Sequence, residues 1–152
     1  MTPFAVGAAA TSPIAGRLVG TLGRRVTLVA LGVMMTGTAL AAWLVTSPAD
    51  TLWWTLAPAM FLAGVGGGGV ISPNFTLTLA EVPTRMGGAA GGALQTGQRI
   101  GSATGAAVLM TAYQVALAQG TSPDTALRVA LVTALALLSV AMVTAVRALR
   151  SG

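Results

Sequence analysis

Gly16-Arg17-Leu18-Val19-Gly20-Thr21-Leu22-Gly23-Arg24-Arg25-Val26-Thr27-Leu28 gathers three of the chain's eight basic residues between two apolar blocks. A compact basic segment in that setting reads as the cytoplasmic elbow of a helical membrane hairpin. The rest of the composition agrees. The chain is 55% apolar and 7% charged, whereas a soluble domain carries about 25% charged residues to face water. Eight arginines with Asp50, Glu81 and Asp124 are too few to cover a soluble globule. The expected fold class is all-α: a polytopic helical membrane protein with about four full transmembrane helices and a partial N-terminal one.

The net charge of +5 comes wholly from arginine. These arginines sit singly or in pairs at the ends of apolar blocks, where they hold helix ends at lipid headgroups. That distribution argues against a nucleic-acid partner, which needs a basic face on a soluble fold. Cysteine and histidine are both missing. Disulfide frameworks, thiol or imidazole metal sites and Ser-His-Asp or Cys-His catalysis therefore have no residues to use. No catalytic, metal or cofactor site is expected.

Outward from the elbow, residues 1–15 are apolar but too few to cross a bilayer core, which takes about 20 helical residues. They read as the cytoplasmic part of a partial span in preference to a short interfacial segment, with Pro13 as a breaking or kinking point and no basic leader of the signal-peptide type before them. The full spans are expected at about 26–46, 53–80, 88–116 and 126–146. Trp43, Trp53 and Trp54 mark one interface. If Gly16–Arg25 is cytoplasmic, Arg17, Arg24, Arg25, Arg85, Arg147 and Arg150 all fall inside and only Arg128 outside, with the C-terminus cytoplasmic.

Two glycine patterns point to close helix packing. Gly64, Gly66 and Gly68 belong to the run Gly64–Gly69 at mid-membrane depth, and Ala93, Gly97, Gly101 and Gly105 form a row at spacing four. A dinucleotide loop is a poor reading of the run, which lies inside an apolar block with no strand before it. Asn74, Gln95, Gln98 and Arg99 are the candidate cavity or gating residues. A charge inside a span costs about 3 kcal/mol and usually faces protein or water. Arg99 either snorkels to the interface or meets an acidic partner, for which Glu81 is the nearby candidate. Gln95 and Gln98 suit a substrate or a polar contact between helices.

The Gly16–Leu28 stretch resembles the signature loop of the major facilitator superfamily, Gly-x-Leu-x-Asp-Arg-x-Gly-Arg-Arg/Lys-x-x-Leu. Gly16, Leu18, Gly23, Arg24, Arg25 and Leu28 fall on its positions. Gly20 stands at the acidic position and Thr21 at the first arginine. Its place before a glycine-poor span is similar to the second, more degenerate copy in the family's C-terminal half, with Gly16 and Gly23 shaping the elbow. Gln98–Gly105 preceded by Gly91-Gly92, and Gly64–Gly69 followed by Pro73, resemble late helices of the fourteen-span drug:proton antiporters. The resemblance implies the C-terminal portion of a plasma-membrane, proton-coupled transporter that exports hydrophobic or cationic compounds. Its partners would be lipid, the missing N-terminal helices, a small-molecule substrate and protons. The alternative is a small non-transporting membrane protein that associates through its glycine-rich helices.

Overall fold

The computed structural model describes residues 2–47, 51–80 and 82–150. It consists of five α-helices: α1 (Thr2–Leu22), α2 (Arg25–Leu44), α3 (Leu52–Leu79), α4 (Gly87–Ala118) and α5 (Pro123–Arg150), with one 3-10 turn at Thr84–Met86 before α4. Four of them, α2 to α5, are long and apolar enough to cross a membrane. The chain is an all-α polytopic membrane protein. Pro48, Asp50 and Glu81, assigned above to the turns, lie outside the described residues.

The elbow corrects one expectation. Gly16 to Leu22 is not loop but the last third of α1, a helix of 21 residues that continues through Pro13. The helix runs on although Pro13 has no N–H to give to the Ala9 carbonyl, a break that a membrane helix tolerates when its neighbours pack against it, and Gly16 faces α3 instead of turning. A Cβ added to Gly16 would stand 2.9 Å from Ser72 Oγ. The turn itself is confined to Gly23 and Arg24. Gly23 has φ +55° and donates its N–H to the Val19 carbonyl at 2.9 Å. That is the left-handed helix-ending geometry in which a side chain is strained. Gly120 (φ +82°) ends α4 in the same way, with its N–H on the Leu117 carbonyl. Pro123 then opens α5 at the first helical position, where its missing N–H costs nothing.

The centre of the bundle is α3, gripped from two sides. A Cβ on Gly64 would collide with the Phe4 carbonyl and one on Gly68 with the Ala8 carbonyl, both on α1. A Cβ on Gly66 would strike the Met34 amide, and one on Gly69 would stand 2.7 Å from the Ala30 Cβ, both on α2. Two residues turn a helix by about 200°, so Gly66 lies almost opposite Gly64 and Gly68, with Gly69 about 100–140° round from them. A run of glycines, in place of a single spaced pair, is what a helix needs when backbones close on both of its faces. Gly7 on α1 and Gly37 on α2 complete the contacts from the other side, against Phe61–Val65 and Ala59–Ala63 respectively.

The second half is looser. α5 packs on α2 and on α4, while α4 touches α3 only slightly and α1 not at all among the described residues. Buried positions are accordingly small and few on α5 (Ala126, Ala130) and α4 (Ala116). The bundle has two distinct ends. Arg24 donates to the Ala148 carbonyl at 3.4 Å, which sets the start of α2 beside the end of α5 and gathers Arg24, Arg25, Arg147 and Arg150. Trp43 at the end of α2 and Trp53 and Trp54 at the start of α3 stand at the opposite end, each more than 60% exposed. Exposed aromatics of this kind suit a lipid–water interface. Hydroxyls within the helices are satisfied locally, as with Thr36 on Gly32, Thr38 on Met34 and Thr133 on Val129. In lipid this back-bonding replaces water.

Candidate functional site

Gln95, Gln98 or Arg99, and Ser102 recur at i, i+3/i+4 and i+7, so an α-helix places all four on one side. In the structure they do line one groove, of about 400 Å³, closed on the α3 side by Ile71. The groove is deep. α4 has 32 residues, so at 1.5 Å per residue Arg99 stands about 5 Å from the middle of the helix and Ser102 almost at it. With a hydrocarbon half-thickness of about 15 Å, the Arg99 backbone is roughly 10 Å inside the boundary on the arginine-rich side. Among the described residues its guanidinium has no carboxylate and no hydrogen-bond partner; Glu81, the acidic candidate, lies outside them. The charge is exposed on the open side of the groove, with Gln95 and Gln98 lining the same recess.

Asn74 does not join this set. It lines a separate crevice at the arginine-rich end with Arg24, Thr27, Leu28, Thr78, Ala145 and Ala148, between α2, α3 and α5. Asn74 is about 60° round α3 from Ile71 and nearly one turn further on, which carries it past the edge of the helix. Ser102 was not singled out in the sequence, although its i+3 spacing from Arg99 was a readable signal.

The two glycine patterns also part company. Gly64, Gly66 and Gly68 are in backbone contact with α1 and α2, as described above. Ala93, Gly97 and Gly101 are exposed, and a Cβ on Gly97, Gly101 or Gly105 would meet nothing within 4 Å. Among the described residues nothing packs on this row, because α4 turns another face to α5 and barely reaches α3. The motif positions divide in the same manner. Gly16 packs on α3, Gly23 makes the turn, Arg24 ties α5 to α2, and Arg17, Leu18 and Arg25 stay exposed.

A bundle of apolar helices with tryptophans at one end, arginines at the other and a charged groove within the span defines a polytopic membrane protein with a polar recess at membrane depth. Such a recess is a feature of proteins that handle solutes. The Major Facilitator Superfamily model matches residues 1–106, and the chain belongs to that superfamily, whose members are secondary transporters, not enzymes. The match covers α1 to α3 and α4 as far as the groove. No curated protein and no solved structure matches the chain.

Proposed function

We propose that this chain forms the C-terminal portion of a proton-coupled efflux transporter of the fourteen-span drug:proton antiporter type. Its cargo would be small hydrophobic or cationic compounds, expelled across the plasma membrane. The observation that carries the reading is the groove of Gln95, Gln98, Arg99 and Ser102 about 10 Å inside the hydrocarbon boundary. A bare arginine there is costly and gains its stabilisation from a water-filled path or from groups on further helices. On this reading the arginine-rich end is cytoplasmic, and so is the C-terminus. The open row Ala93, Gly97, Gly101 and Gly105 receives a helix of the other half, Arg99 is the gating charge, and Asn74 lines the inner mouth.

The test is efflux of a fluorescent cation from loaded cells, with this chain expressed alone and with its upstream reading frame. The longer product should drive efflux that a protonophore abolishes, and Arg99→Gln should remove it while leaving membrane insertion intact. Efflux by this chain alone, or efflux indifferent to the proton gradient, would refute the proposal. The openness of the Gly97–Gly105 face also favours the second reading, a non-transporting protein that associates through it. Crosslinking of that association should then vanish in Gly97→Leu/Gly101→Leu.

A further inference from the structure

Another recess of the bundle has a different character. It runs between α1 and α2 over α3, encloses about 410 Å³, and is lined by Ile14, Leu18, Leu22, Val29 and Val33 above a floor of Val65 and Gly69. Its one hydroxyl, Thr11, is already bonded to the Gly7 carbonyl at 2.9 Å, so the interior offers no free polar group. At the arginine-rich end it terminates on Arg25. From Thr11 to Leu22 it extends about 16 Å along α1, close to the thickness of one hydrocarbon leaflet, about 15 Å.

We propose that this groove binds a single anionic phospholipid, one acyl chain lying against Ile14, Leu18, Val29 and Val33 and the phosphate resting on Arg25. Three observations select that occupant. The groove's length matches one leaflet and begins at the level where α2 begins. Its walls are aliphatic throughout, Ile14, Leu18, Leu22, Val29 and Val33 with Val65, which is the surface an acyl chain packs against. The charge at the mouth is also positive and uncompensated: Arg24 turns away to the Ala148 carbonyl, Arg25 makes no hydrogen bond or ion pair among the described residues, and the acidic residue they include, Asp124, is at the other end of the bundle. Basic pockets between membrane helices recognise phosphate headgroups for this reason.

The experiment is native mass spectrometry of the full chain, purified in mild detergent and offered phosphatidylglycerol and phosphatidylcholine of identical acyl chains at equal concentration. Phosphatidylglycerol should be retained about five-fold better, the Boltzmann factor of one cation at an anionic surface. Arg25→Gln should erase that preference and Arg17→Gln, at the same end but outside the groove, should keep it. Val29→Trp, on the exposed rim, should lower retention of both lipids by blocking the chain. Equal retention of the two lipids by the unaltered protein overturns the proposal without recourse to any variant. So does an equal loss in Arg17→Gln and Arg25→Gln, which would mean a diffuse charge effect, and so does undiminished retention in Val29→Trp. Displacement by glycerol phosphate alone at the lipid's own concentration would assign the phosphate site without the acyl groove and would equally refute it.

Discussion

Gly64→Ala tests the packing of α3 most sharply, since it adds one methyl group where two backbones meet. The new Cβ would run into the Phe4 carbonyl oxygen and stand 2.8 Å from the carbonyl carbon and Cα of the same residue. Ordinary contact begins at 3.4 Å and the carbonyl oxygen is nearer than the two carbons, so α1 must retreat by more than 0.6 Å. A gap of that size forfeits a quarter to a half of each dispersion contact along the α1–α3 seam, and overpacking against rigid backbone falls in the upper part of the usual range, about 2–3 kcal/mol. Alanine returns about 1 kcal/mol in helix propensity. The net loss is roughly 1–2 kcal/mol by those magnitudes, or a fall in unfolding midpoint of about 2–8 °C for a chain of this size. Thermal unfolding in detergent, followed by tryptophan fluorescence, reads it directly. Gly97→Ala is the internal control, because its Cβ enters open space and should leave the midpoint unchanged or raise it. A Gly64→Ala protein as stable as its parent would refute backbone contact between α1 and α3.

Gly23→Ala should destabilise by about 1–2 kcal/mol, the cost of a left-handed residue with a Cβ, again read as a lowered midpoint. Gly20→Ala, where added bulk meets nothing, should not. The chain contains no cysteine, so Ser102→Cys carries a single thiol. If the α4 groove is wet it should react with a membrane-impermeant maleimide far faster than Val132→Cys on the lipid-exposed side of α5, and equal protection of both would refute a water-filled groove.

Much of the fold was legible because bilayer physics leaves few choices. Long apolar blocks become helices, tryptophans and arginines collect at their ends, and a glycine run signals close approach. What the pattern left open was which glycine turns the chain. Gly16, Gly20 and Gly23 look alike in sequence, and only the geometry separates a packing glycine from an open one and from the one at φ +55°. Arg17 reinforced the wrong choice, since an exposed arginine near a helix end is as compatible with a last turn as with a loop. The Ala93–Gly105 row failed differently. Small residues announce a surface that can be approached, and nothing in their spacing says by what. Asn74 was grouped with Gln95, Gln98 and Arg99 on chemistry alone, and a rotation of about 60° along α3 was enough to part them.

These separations describe one asymmetry. α1, α3 and α2 are locked through glycine backbones on both faces of α3, whereas α4 is held chiefly by α5 and leaves its small-residue row bare. The charged groove lies on the line between the two, with Ile71 on the locked side and Arg99 on the loose side. An element with few buried contacts is the one that opens at least free-energy cost. Movement of α4 against α3 would change the groove's width without disturbing the glycine seams, and it would carry Arg99 and Ser102 with it while Ile71 stayed in place. For a secondary transporter, whose working cycle is the rocking of packed units around a fixed site, this places the polar recess at the seam where the chain can yield. The glycines of α3 are buried in that scaffold, while those of α4 stay bare on the element that is held least.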